Sequence, residues 1–183
     1  MHRALSALFV TGLLALGLAA CAAPTEGETQ ETTAPVPPVV ETSGPEMGAA
    51  AEAAEAGAAL CAGGGETAAD VCVIERQAAE GDVVFDAYRV VKLVEASFPG
   101  TVTISGADQV VVEGTSVGGD LMLTQNAGVV LTDSAIARNA TVSGGERATI
   151  VANDVAGDLT CDGARVDGRG NDVSGANACA GLR

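Results

Sequence analysis

Aromatic residues make up only 2% of this 183-residue chain, with three Phe, one Tyr and no Trp. That scarcity argues against platforms on which bases or sugar rings stack. Histidine is nearly absent as well: His2 is the only one, and it lies in a segment that reads as a cleaved export signal. Without it the exported chain lacks a Ser-His-Asp or Cys-His arrangement and the commonest ligand of zinc and haem sites. Basic residues are few, 9 Lys and Arg against 24 Asp and Glu, for a formal net charge of -15. Phosphate backbones demand the opposite balance, so nucleic acid is not an expected partner. The same charge repels anionic lipid surfaces, and any membrane attachment has to come from something other than a polybasic patch.

What is present begins with "MHRALSALFVTGLLALGLAAC". A short basic start (His2, Arg3), an apolar core from Ala4 to Leu18 and small residues before Cys21 describe a secretory signal over residues 1–20. The ending Leu18-Ala19-Ala20-Cys21 resembles the lipobox of bacterial lipoproteins. The resemblance implies that Cys21 is diacylated and becomes the first residue, held to a membrane of the bacterial cell envelope by its lipid chains. Residues 21–45 are rich in Thr, Glu and Pro and poor in large apolar side chains. Such a composition cannot bury enough surface to repay its ordering entropy, so an acidic, disordered tether is expected. Residues 46–81 combine an Ala/Glu stretch of high helix propensity with a glycine-rich loop between Cys61 and Cys72. That segment reads as a small helical, disulfide-stapled cap with a weakly docked helix. Its "GGGET" lacks the Lys and Ser/Thr of a phosphate-binding loop.

From residue 82 to 183 the texture changes to short β-branched runs separated by Gly, Asp and Asn. Phe98, Val117, Ile136 and Val155 recur every 19 residues. Three further columns share the interval: Ile104, Leu123, Val142, Cys161; Val102, Leu121, Ala140, Leu159; and Val112, Leu131, Ile150. A unit this short cannot be a propeller blade, and the Leu-x-x-Leu-x-Leu frame of leucine-rich repeats is missing. The expectation is an all-β, single-stranded parallel β-helix of about five coils, each stacked on the last at about 4.8 Å. In "GDLMLT" the alternation turns Leu121 and Leu123 inward and Asp120 and Met122 outward. Right-handed coils are expected, because strict hexapeptide repeats are missing. The segment 137–145 is read as a turn, and Gly118-Gly119 and Ala156-Gly157 as corners needing positive φ, with Ala137-Arg138 departing from them.

Beyond Cys21 four cysteines remain, an even number for an oxidising compartment, and neither pair has zinc-ligand spacing. Cys61 and Cys72 suit a local bridge. Shortening the last coil by one residue aligns "NDVSG" (171–175) with "NDVAG" (153–157), and the same shift of 18 carries Cys161 onto Cys179. Neighbouring coils lie within bridging distance, so a Cys161–Cys179 bond is predicted. The residues Val155, Gly157, Asp158, Leu159, Cys161 and Cys179 also resemble a V-x-G-D/N-L-x-C pattern of uncharacterised β-helical domains in bacterial exported lipoproteins. That resemblance implies fold and carries no activity.

One outward column, Thr101, Asp120, Asn139, Asp158, reads as a polar ladder at a sheet rim, where corners need hydrogen bonds. Two sharper uses are weighed: stacked oxygen ligands for Ca²⁺, and Asp120 with Asp158 as a carboxylate pair about 10 Å apart on a polysaccharide-active β-helix. Short turns and scattered arginines speak against the second. A Thr103, Thr141, Thr160 column interrupted by Met122 speaks against a flat ice-binding array. No catalytic residue, cofactor or metal is assigned. The expected function is a non-enzymatic, lipid-anchored envelope protein that presents a rigid solenoid to an unknown protein or glycan partner. Bactofilin-like self-assembly is the structural alternative, and the cap and pinned last coil favour a monomer.

Overall fold

The computed structural model describes residues 46–63 and 70–183. The expectations for the signal, Cys21 and the tether lie outside them, as does most of the glycine-rich loop. Helix α1 (Glu46–Gly63) opens the described chain. The strands follow as β1 (Val71–Glu75), β2 (Val83–Phe85), β3 (Val90–Val94), β4 (Ser97–Phe98), β5 (Val102–Ser105), β6 (Gln109–Glu113), β7 (Ser116–Val117), β8 (Leu121–Thr124), β9 (Gly128–Thr132), β10 (Ala135–Ile136), β11 (Ala140–Ser143), β12 (Arg147–Val151), β13 (Asp154–Val155), β14 (Leu159–Asp162), β15 (Arg165–Arg169) and β16 (Asp172–Val173).

These strands form three parallel sheets, and the chain visits each in turn. Sheet I is β1-β3-β6-β9-β12-β15, sheet II is β4-β7-β10-β13-β16, and sheet III is β2-β5-β8-β11-β14. Each circuit is one coil, so the protein is a parallel β-solenoid of about five full turns. The register is 19 residues through the stack, as in Val102↔Leu121 and Ala140↔Leu159, and shortens to 18 at Arg147↔Arg165. The missing residue therefore falls in the turn between Asp162 and Arg165.

All four anticipated columns superpose inside. Phe98, Val117, Ile136 and Val155 stack through sheet II, and no member is more than 2% exposed. Sheet III carries Val102–Leu121–Ala140–Leu159 and Ile104–Leu123–Val142–Cys161, prolonged at the start by Val83 and Phe85. Sheet I holds Val112–Leu131–Ile150 below Ile74 and Leu93, with a further column Cys72, Val91, Val110, Val129, Ala148, Val166 beside it. Stacking of β-branched and Leu side chains along a pleated surface is what holds the coils together, each buried side chain contributing about 1.5–3 kcal/mol.

Four expectations need correction. The solenoid starts at Val71 rather than residue 82, since β1 pairs with β3 and Ala78 bridges Ser97. That first coil has only a bridge on sheet II, because "QAAEGD" offers small and polar residues where later coils place Phe98 or Val117. The segment 137–145 is not a turn throughout: Ala140 and Val142 continue the inward columns, so its centre is β11. The corner glycines do not have positive φ. Their role is space, for a Cβ on Gly119 would lie 2.6 Å from the Gly100 carbonyl carbon and one on Gly118 2.5 Å from the Pro99 oxygen. Positive φ sits instead on two other corner columns. One is Arg76, Glu95, Gly114, Asp133, Ala152, Gly170, and the other Gly106, Gln125, Gly144, Gly163. At the anomalous corner the amides of Gly119 and Gly157 donate to the coil before, but no bond from Arg138 N–H is made among the described residues.

Helix α1 is more closely seated than its composition suggests. Ala53, Gly57 and Cys61 recur every four residues, so they lie on one buried face against β2. A Cβ on Gly57 would fall 2.1 Å from the Val84 carbonyl oxygen, which points away from β5 toward the helix. The helix thus covers the edge of β2 at the open end of the stack. Cys61–Cys72 (Cα–Cα 5.0 Å) ties the helix end to β1. At the other end Leu182 bridges Gly168 and Arg183 exchanges hydrogen bonds with Gly168 and Gly170.

Candidate interaction surface and its supporting ladders

The polar column singled out in the sequence lies at the corner leading into sheet III. Asp120 Oδ1 accepts from Asn139 N and Nδ2 at 3.0 Å each, Asn139 Oδ1 accepts from Asp158 N at 2.9 Å, and Asp158 Oδ1 accepts from Ala176 N at 2.7 Å. Thr101 belongs to a lower segment, its N–H donating to Asp82 Oδ1 at 2.7 Å, and no bond links Thr101 to Asp120 among the described residues. Each acceptor oxygen receives a backbone N–H from the following coil. Asn139 occupies the rung between Asp120 and Asp158, where a glycosidic bond would have to sit for those carboxylates to flank it. Both carboxylates are engaged as corner acceptors. Among the described residues no three His, Cys, Asp or Glu side chains converge as a metal site.

A second ladder, inside the corner between sheets I and II, was not anticipated. Thr115 N–H donates to Ser134 Oγ (3.2 Å), Ser134 N–H to Asn153 Oδ1 (3.0 Å) and Asn153 N–H to Asn171 Oδ1 (3.0 Å). The amide groups of Asn153 and Asn171 also donate to the Leu131 and Ile150 carbonyls, at 2.9 Å each. Thr115, Ser134 and Asn153 are buried to 2% exposure or less. The signal was readable: Thr115, Ser134, Asn153 and Asn171 share the solenoid's own spacing, and the column is polar from Thr115 onward, after Ala96. Asn126 does the same at the remaining corner, accepting from Ala107 N–H and donating to Ile104 O. Cys161–Cys179 (Cα–Cα 4.7 Å) closes the last coil where the inward column would otherwise end.

These ladders hold three flat outer faces of unequal chemistry. Sheet III shows Thr103, Met122, Thr141 and Thr160 in one column and Ser105, Thr124, Ser143 and Asp162 in the next. Sheet II shows Ser97, Ser116, Ala135, Asp154 and Asp172. Sheet I is different. Val71 and Val73 of β1, Val90 and Val94 of β3, and Val111, Val130 and Val151 of β6, β9 and β12 all alternate with the inward residues and so face out, half-buried among themselves. "VVKLV" turns Val90 and Val94 outward on either side of Lys92, and "QVVVE" turns Val111 outward between Gln109 and Glu113, so valine appears on both faces of these strands. Shallow hollows of 440 and 520 Å³ cross this face, the second lined by Thr149, Val151, Asp167, Arg169 and Arg183.

No protein-family model, curated protein or solved structure matches this chain. Its functional reading rests on its own residues.

Charge on the sheet I face is sorted by coil. Glu75 and Glu113 lie on the earlier strands and Arg147, Arg165 and Arg169 on the last two, with Lys92 and Asp167 as the exceptions. Among the described residues only Arg89 forms salt bridges, with Asp108 and, at 3.9 Å, Asp70. Its hydrogen bond to Asp108 and the charges of Asp108 and Asp70 raise its guanidinium above the usual range, and an arginine so placed stays charged throughout the neutral region. Arg147 and Arg165 are direct neighbours in register, a like-charge pair without a carboxylate within salt-bridge reach among the described residues.

Proposed function

We propose that this chain is a lipid-anchored protein of the bacterial cell envelope that displays a rigid solenoid as a binding module, with the outer face of sheet I as the surface presented. One observation carries the reading. Seven valines face outward from five of the six strands of that sheet, while the outer faces of the other two are mainly Ser, Thr, Ala and Asp. An outward apolar patch rimmed by charge marks a contact surface, because leaving it in water forgoes about 25 cal/mol per Å² of burial. The anchor is the diacyl group on Cys21, and the acidic stalk of residues 21–45 holds the module away from a surface that its net charge of -15 would otherwise avoid.

The fold suits presentation rather than induced fit. Inter-coil hydrogen bonds, two disulfides and continuous inner columns fix the positions of the outward side chains without further ordering cost. Two measurements test the proposal. Metabolic labelling with an alkyne fatty acid is expected to mark the protein and to vanish with Cys21→Ser, which also moves the chain to the soluble fraction. Unchanged labelling would remove the anchor. Cross-linking from the cell surface is expected to lose its adducts in a Val111→Asp, Val130→Asp variant and to keep them in a Thr103→Asp, Thr141→Asp control. The reverse pattern would assign the contact to sheet III.

A further inference from the structure

We propose that the outer face of sheet I docks on the same face of a second copy of this chain, with the order of coils reversed. The inference rests on the reading of this face as the contact surface and names its occupant. Sheet I has six strands of matched register, so rotation about an axis parallel to the strands lays β1 on the partner's β15, β3 on β12 and β6 on β9. Each residue then meets one from its own column. Glu75 falls opposite Arg169, Val94 opposite Val151, and Val111 opposite Val130. Lys92 comes one strand from the partner's Asp167.

With the order reversed no like charges are directly opposed and Glu75 pairs with Arg169 at both ends of the interface, while Arg165, Asp167 and Arg147 lie over Val71, Val73 and Val90. Same-order stacking, by rotation about the axis of the stack, would set Arg165 on Arg169, Lys92 on Lys92 and Asp167 on Asp167. An isologous pair needs one self-complementary patch, which this face supplies. An anionic ligand would answer the adjacent Arg147 and Arg165 but leave Val71, Val73, Val90 and Val94 uncovered beside Glu75. The protected ends of the solenoid oppose end-to-end polymers and leave this lateral face open, so the monomer expected from the capped ends does not extend to it.

Size sets the strength. Six strands at about 4.8 Å and five residues at about 3.3 Å give a footprint of roughly 450 Å² per copy, near half the usual 800 Å² per partner. Association is accordingly weak in free solution. Anchoring at one membrane surface raises the effective concentration without new contacts.

The test is sedimentation velocity of the full mature chain in detergent across a concentration series, joined with chemical cross-linking on vesicles. A dimer that grows with concentration is expected. Val111→Glu and Val130→Glu, both outward and remote from the inner columns, are each expected to weaken it at least tenfold. Arg169→Glu and Glu75→Arg should each weaken it, and the chain carrying both exchanges should recover. Recovery is the decisive arm, since damage to the fold would not be repaired by a second charge reversal. A monomer at every concentration in detergent and on vesicles, a dimer indifferent to both valine variants, or charge exchange without recovery would each overturn the proposal. If the chain stays monomeric while the valine variants still lose their envelope adducts, the contact surface stands and only its occupant is wrong.

Discussion

The outer ladder of Asp120, Asn139 and Asp158 and the inner ladder of Thr115, Ser134, Asn153 and Asn171 perform the same task at two corners of one solenoid. Both use a side-chain oxygen to receive a backbone N–H that the sheets leave unpaired at a bend. They run in opposite senses: outside, the oxygen comes from the preceding coil, and inside from the following one. The difference that matters is water. A missing outer rung is replaced by solvent, whereas inside the corner nothing else can donate or accept. Among the described residues no buried side-chain polar atom lacks a partner. The inner ladder is therefore the one that fixes the stacking of coils, and the outer one trims it.

Breaking the inner ladder is expected to have the largest effect. Asn153→Ala strands Ser134 N–H and the Leu131 carbonyl in a dry corner and leaves a hole, a loss of about 3–5 kcal/mol. Denaturant unfolding measures it, and a loss below about 1 kcal/mol would show that water reaches the corner. Next comes the last coil, where the inner column weakens: Gly168 replaces Ile150, and Val173 is only half-buried. The Cys161–Cys179 bridge substitutes for that core. Replacing both by Ser should cost about 3 kcal/mol, as expected for a closed loop of this size. Hydrogen exchange should then quicken across residues 165–179 while 90–132 stay protected, and uniform loosening would mean the bridge acts on the whole stack.

The two ladders also differ in how readable they were. A period of 19 in aliphatic residues announces stacked coils, because few other architectures repeat so briefly, and the shift of 18 placed Cys161 over Cys179. The outer ladder followed from alternation within "GDLMLT". The inner ladder did not, since Thr, Ser and Asn in loops read as turn residues, and only stacking on one another buries them. Likewise the sheet I valines merge in sequence with the inward ones: "QVVVE" shows a β-rich run and hides that its middle valine faces out. The first coil is hidden in the sequence because Cys72 and Ile74 fall in a stretch that reads as cap, and the corner glycines suggest positive φ where proximity to the neighbouring coil is the cause.

Smaller effects sharpen the same contrast. Asn139→Ala removes the acceptor for Asp158 N–H and a donor to Asp120, but the corner is exposed, so about 1 kcal/mol is expected, well under the inner-ladder loss. Equal losses from Asn139→Ala and Asn153→Ala would erase the distinction drawn between the two corners.

The smallest change is the most specific. Asp120→Asn and Asp158→Asn keep the acceptor oxygen that receives Asn139 and Ala176 N–H and remove only charge. In a chain of net charge -15 that removal relieves self-repulsion, so stability should stay within about 0.5 kcal/mol or rise slightly. A loss beyond about 1 kcal/mol would mean that the ladder depends on ionised carboxylates. Because the fold is expected to survive, the same pair of substitutions is a clean probe of chemistry. Abolished release of sugar from an envelope polysaccharide by an intact Asp120→Asn, Asp158→Asn chain would move these carboxylates from corner acceptors to an acid–base pair. An unchanged cross-linking pattern in that chain would leave the contact surface on sheet I, one face away from the ladder.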